Sequence, residues 1–165
     1  MPKAKRKTKL LPHETELVAL GLLADITHDN ASSRWLYGPS ADRKAGRSLC
    51  YRHMGDTEFQ YLLRNKQLPD TQPYQTLTRE EEGRRYCESY LRSNKTVDTN
   101  PATVVEFNCP EDLIGDFYRI QSKIEEGTLS HGLGNRAGKT LPRFNAALAE
   151  GSISWRIVLV KRAQK

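Results

Sequence analysis

The apolar positions of this chain fall into short runs with two periods, and together they predict strands alternating with helices. Residues 1–11 carry no periodic pattern and read as a flexible arm. Pro12 stands where a helix can start, and Glu14 and Glu16 suit a positive helix N-terminus. With Leu17, Leu20 and Ile26 on one face, a helix is expected over 13–28. Residues 29–48 are turn-rich, with Gly38-Pro39 and Gly46 as breakers; they read as a linker whose Trp35, Leu36 and Tyr37 are pinned on the domain. Leu49 to Met54 reads as a strand, and Asp56-Thr57-Glu58 caps a helix carrying Phe59, Leu62 and Leu63 that ends before Pro69. Tyr74 to Thr78 is a second strand. Thr78, with Glu81 three residues on, forms a capping box for a helix carrying Tyr86, Tyr90 and Leu91. Ala102 to Asn108 has the clearest strand pattern, and Pro110 and Glu111 start a short helix through Leu113 and Phe117. A Gly-rich segment, 125–139, leads to a helix around Leu141–Glu150, stopped by Gly151, and to a last strand from Ile153 to Lys161. Several connections are too short for right-handed crossovers, so the expected class is α+β with a mixed sheet, not a doubly wound parallel one.

Composition agrees with one ordinary domain. The chain has 165 residues, 37% of them apolar and 28% charged, with a mean hydropathy of −0.70. No apolar run approaches the ~20 residues of a membrane span, and the N-terminus lacks a signal-peptide core, so a cytoplasmic protein is expected. Cys50, Cys87 and Cys109 are an odd, widely spaced set without CxxC, and His13, His28, His53 and His131 show no metal spacing. Free thiols and no metal site are the expectation.

The net charge of +6 suggests nucleic acid until it is divided along the chain. Lys3, Lys5, Arg6, Lys7 and Lys9 supply five of the 26 basic residues, leaving 21 against 20 acidic from Leu10 onward. Within that body, Glu80 to Ser130 holds 6 basic and 11 acidic residues, whereas His131 to Lys165 holds 7 and 1. The chain is thus a near-neutral domain with a basic arm and a basic C-terminal third.

Three motifs bear on chemistry. GLGNRAGKT suggests a P-loop, but Gly132 leaves five residues before Gly138 and Gly134 leaves three, where four are required, and no buried strand precedes it. P-loop nucleotide hydrolysis is excluded. Tyr51-Arg52-His53 lies on the first core strand, with Tyr51 and His53 on one face and Arg52 on the other. An arginine there needs either an anionic ligand, for which its planar fork suits a pyrophosphate, or a carboxylate such as Glu106. Glu125-Glu126 precede the Gly-rich loop; adjacent acids are ordinarily a solvated face.

Taken in order, these elements resemble the ADP-ribosyltransferase-like domains of bacterial polymorphic toxins. The matching run is about Tyr51 to Lys161: YR on the first strand, TEFQYLL and an LP turn, YQTLT, a helix with Tyr86 and Tyr90, VVEF, EEGTLSHGLG and FNAALAEGSISWRIV. The resemblance implies a split, twisted mixed sheet with short helices that grips NAD as substrate. It divides the chain into a basic arm (1–11), an N-terminal helix and linker (12–48) and a catalytic domain (49–165). It places Arg52 on a NAD phosphate or ribose and Tyr51 in the same pocket. Thr76 or Thr78 would supply the second-strand hydroxyl, Tyr86 the aromatic near the nicotinamide, and His131 would lie beside the site. Glu126 matches the catalytic glutamate, with Glu125 and Glu106 as alternatives. A carboxylate on the ribose 2′-OH stabilises the oxocarbenium-like sugar formed as the nicotinamide bond breaks. The sequence departs from the family in having neither a Ser-Thr-Ser run on the second strand nor a Glu-x-Glu or Gln-x-Glu pair, which argues against arginine as the acceptor.

The resemblance thus implies an NAD-dependent transferase or NAD glycohydrolase of toxin type. Its partners would be a macromolecular acceptor, with RNA conceivable through Arg136, Lys139 and Arg143, and a cognate immunity protein. Two other classes stand beside it. One is a metal-independent ribonuclease using His131, with Lys139 and Arg143 on the developing charge. The other is a non-enzymatic RNA-binding module whose affinity resides largely in the arm.

Overall fold

The computed structural model describes residues 9–28, 34–70, 76–93, 101–115, 119–121, 129–132 and 140–163. Its helices are α1 (Pro12–Ala19), α2 (Asp56–Asn65), α3 (Glu80–Ser93), α4 (Glu111–Gly115) and α5 (Thr140–Glu150). The strands are β1 (Thr27–His28), β2 (Trp35–Tyr37), β3 (Arg47–Gly55), β4 (Thr76–Arg79), β5 (Ala102–Pro110), β6 (Arg119–Gln121), β7 (Leu129–Gly132) and β8 (Ser154–Lys161). They form one open sheet of eight strands in the order β1-β2-β8-β5-β3-β4-β7-β6. The class is therefore α+β, an antiparallel open sheet with short helices.

The expected mixed sheet is corrected: every pairing among the described strands is antiparallel. The reason lies in which strands each helix joins. α3 carries the chain from β4 to β5, which run parallel to each other but lie on either side of β3. α5 likewise joins β7 to β8, with three strands between them. Crossovers exist, but none joins neighbours, so no parallel pair results.

The longest pairing, β3 with β5, runs from Arg47↔Pro110 to Gly55↔Ala102 and forms the spine of the sheet. Strand alternation sorts its residues to two faces. Cys50, Met54, Val105 and Phe107 point to a core completed by α1, α2, α4 and α5, through Leu17, Leu62, Ile114 and Phe144. Phe144 meets Phe107 edge-on at 5.2 Å. Leu49, Tyr51 and Val104 point the other way, under Cys87 and Leu91 of α3. All three cysteines are buried free thiols.

Several boundaries differ from the sequence expectation. The first helix ends at Ala19 and not near 28, because Gly21 (φ 74°) and Asp25 (φ 50°) take left-handed conformations, and Thr27–His28 then form an edge strand. Residues read as a linker include β2, which pairs with β8; Leu17, Leu23 and Leu36 lie in the same core as the rest. Pro110 ends β5 instead of opening α4, and the Gly-rich stretch supplies β7. Thr78 lies within β4 and is not the cap of α3. Its hydroxyl sits 3.0 Å from the Gly83 carbonyl and 3.2 Å from that of Tyr51, tying strand to helix. Gly83 is required at that junction, since a Cβ there would come within 2.4 Å of the Thr78 carbonyl carbon.

Candidate functional site

The Tyr51-Arg52-His53 triplet divides across the sheet as its alternation dictates. Arg52 faces α2 and is 7% exposed. Its Nε and Nη2 donate to the two carboxylate oxygens of Glu58 at 2.7 and 2.6 Å. Of the two readings of this arginine, the carboxylate partner holds, but the acid is Glu58 at the start of α2 and not Glu106. Arg52 and Tyr51 therefore cannot shape one pocket, which corrects the grouping that the resemblance implied.

On the other face Tyr51 and Glu106, paired in register, anchor a buried polar chain. Tyr51 Oη donates to Glu106 Oε2 at 2.8 Å and lies 2.9 Å from Ser40 Oγ, which in turn accepts from Arg84 at 2.6 Å. Glu106 also accepts the Ala41 N–H at 3.2 Å and Arg156 Nε at 3.1 Å. Arg156 and Arg84 reach on to the carbonyls of Pro39 (2.6 Å) and Gly38 (2.8 Å). Burial pushes the Tyr51 hydroxyl well above its ordinary range, with the Glu106 charge adding to the shift, so it stays a donor. Glu106 is 1% exposed and fully engaged by donors that fasten the segment after β2 onto the sheet. In this arrangement it is a structural carboxylate.

Beside this chain, toward the end of β3, His53 stacks on Tyr90 with ring centroids 3.9 Å apart and meets Tyr86 edge-on at 6.4 Å. The amphipathic spacing of α3 places both tyrosines one turn apart on the flank of the helix. Tyr90 remains 40% exposed, so the three rings make an aromatic shelf open at one side. Burial, and then the charge of Arg52, lowers the His53 pKa to about 4, leaving a neutral imidazole at pH 7. The unfolded chain then takes up a proton at His53, through about pH 6.5, that the folded protein refuses until about pH 4. Folding stability should fall across that window as the pH is lowered. Urea denaturation of the protein and of a His53→Phe variant checks this: the variant's loss between pH 6.5 and 4 should be measurably shallower.

The remaining candidates separate in the same way. Thr78 is buried next to Tyr51 and Cys87. In the β4–β7 register Thr76 pairs with Gly132, Thr78 with Ser130, and His131 with Leu77. Thr78 pairs with Tyr51 across the β3–β4 register, and Leu77 belongs to the core on the Arg52 side. Arg143 lies exposed on α5, over that same side. Glu125, Glu126, Arg136 and Lys139 lie outside the described residues. Burial pushes the Cys87 thiol up to about 11, so it offers no thiolate at neutral pH. Among the described residues no cluster of histidine, cysteine, aspartate and glutamate could hold a metal ion, and no helix is long and apolar enough to cross a membrane.

Sequence reasoning missed the packing of His53 on Tyr86 and Tyr90. The signal was present in its alternation with Arg52 and in the spacing of Tyr86 and Tyr90, but nothing in the sequence says that strand and helix meet there. No protein-family model, curated protein or solved structure matches this chain.

Proposed function

We propose that the chain is an ADP-ribosyltransferase-like domain that cleaves the nicotinamide–ribose bond of NAD. The ADP-ribose would pass to a macromolecule, as a toxin or effector does, or to water. The observation that carries the reading is the shelf of His53, Tyr86 and Tyr90, formed between β3 and α3 on the same face of the sheet as Thr78. A half-open stack of flat rings with a neutral imidazole accepts a heteroaromatic ring without adding positive charge next to a cationic nicotinamide.

In this reading Tyr86 and Tyr90 hold the nicotinamide ring, and Arg52 acts only at a distance: it fixes β3 to α2, and its charge helps keep His53 neutral. Glu126 is the catalytic acid, with Glu125 as its neighbour. Its carboxylate accepts the ribose 2′-OH hydrogen bond while the C1′–N bond breaks and the bonding pair leaves with nicotinamide. The acceptor oxygen or nitrogen then bonds to C1′ and releases its proton. An RNA acceptor and a cognate immunity protein fit the basic C-terminal third and belong to the same proposal.

The test is release of nicotinamide from NAD by the purified chain, with and without cell lysate, followed chromatographically. Glu126→Gln should lower the rate by about 30- to 1,000-fold, the equivalent of about 2–4 kcal/mol, while the circular dichroism stays native. Tyr90→Ala should raise KM more than it lowers kcat. No nicotinamide under either condition overturns the reading.

A further inference from the structure

We propose that the cleft where α1, α2 and α5 end binds a medium-chain aliphatic carboxylate, with the alkyl chain inward and the head group at Lys66. Each of these helices is followed within two residues by a left-handed one: Gly21 (φ 74°), Lys66 (φ 53°) and Gly151 (φ 84°). The turns leave a cleft of about 380 Å³, at the small end of the range for small-molecule sites. Its walls are Leu20 and Leu22 after α1, Leu63 of α2, Leu148 of α5, and Ile153 and Trp155 around the start of β8. Backbone and ring contacts fix this frame. The Ile157 N–H donates to the Leu22 carbonyl at 2.8 Å and the Ile153 N–H to that of Ala147 at 3.2 Å, while the Trp155 ring meets Phe59 edge-on at 6.1 Å.

Three features select the occupant. The walls are apolar yet open: Leu20 keeps 63% of its surface exposed, so a ligand that covers it removes apolar area from water. Among the described residues, Lys66 and Ser154 are the only polar side chains of the lining. A peptide laid there would bury amide groups without partners, whereas an alkyl chain brings none. Lys66 is also the only charged residue of the lining; it is exposed, and its ammonium makes no ion pair or hydrogen bond with another described residue. Helix C-termini disfavour an anion lodged against their last carbonyls. The carboxylate therefore sits at the mouth with Lys66, and the chain runs inward along the leucines. This cleft lies on the α1, α2 and α5 side of the sheet and the aromatic shelf on the α3 side, so binding here does not depend on NAD cleavage.

The test is isothermal titration calorimetry of the full chain, without NAD, with hexanoate, octanoate and decanoate below their micelle concentrations. Each added CH₂ should tighten binding about 2- to 4-fold, the upper figure corresponding to full burial of the group. Lys66→Gln should weaken decanoate about 3- to 5-fold, the contribution of a good exposed ion pair, and leave decanol unchanged. Leu20→Glu should weaken decanoate at least about 10-fold, through lost apolar contact and like charge. Val18→Glu, at an exposed position of α1 outside the cleft, should change it less than about 2-fold. Four outcomes overturn the proposal: no saturable binding at about 1 mM decanoate, affinity that does not rise with chain length, decylamine bound as tightly as decanoate, or equal weakening by Leu20→Glu and Val18→Glu. Because NAD is absent, none of them bears on nicotinamide release.

Discussion

Truncating Glu106 to alanine should cost about 3 kcal/mol of folding stability, the lower end of what breaking a buried ion pair costs. The carboxylate is 1% exposed and collects donors from three directions: the Tyr51 hydroxyl, the Ala41 amide and the Arg156 guanidinium. Its removal strands the first two in a dry environment, where an unsatisfied donor costs about 1–3 kcal/mol. Arg156 can recover water, since its side chain is 31% exposed, and this keeps the total from rising further. The damage should be local as well as global, because the same contacts hold the segment that follows Gly38. Trypsin should cut the variant at Arg43 or Lys44, both exposed, well before the wild type. Urea denaturation gives the first quantity and a proteolysis time course the second. A variant as stable and as resistant as the parent would show that Glu106 does not fasten this segment.

Arg52→Met should be at least as severe, about 3–5 kcal/mol, because Glu58 is then left buried with its charge unanswered. Restoring apolar consistency with Arg52→Met and Glu58→Leu together should regain most of that loss, since well-packed hydrophobic side chains often replace a buried ion pair at little net cost. A double variant no better than the single one would mean that Arg52 matters through something other than this pair. The pair also reaches the aromatic shelf. The Arg52 charge is one of the two causes holding the His53 pKa near 4, so its loss should move that pKa up toward the ordinary histidine value. Titration of the His53 ring signals by NMR in the double variant measures it. Burial, the larger cause, remains, so the rise should be partial.

The two predictions concern residues of the paired strands β3 and β5, and they show how far the sequence could be read. Alternation alone put Tyr51 and His53 on one face and Arg52 on the other, and the hydrophobic runs placed β3, α2, α3, β5, α5 and β8 within a few residues. Local signals failed where the chain bends on itself. The apolar face of α1 seemed to run to residue 28, but the left-handed turn at Gly21 and Asp25 ends the helix early. β7 was hidden because Leu129–Gly132 has a glycine-rich flank and takes its conformation from pairing with β4.

The sequence by itself determined the class of elements, the two faces of the central strand, the absence of a P-loop and the division of charge into arm, acidic middle and basic end. These follow from periodicities and counts that any conformation with those elements must respect. Only the tertiary structure decided which residues meet. Glu58 answers Arg52 because α2 folds back over β3, leaving Glu106 to Tyr51 and Arg156. His53 becomes a neutral, stacked imidazole because α3 crosses from β4 to β5 above it. Trp35 meets Arg92 and Lys161 because β2, far from β8 in sequence, pairs with it near one edge of the sheet. Pairing between distant segments is set by the burial and hydrogen bonding of the whole sheet, and no local pattern encodes it.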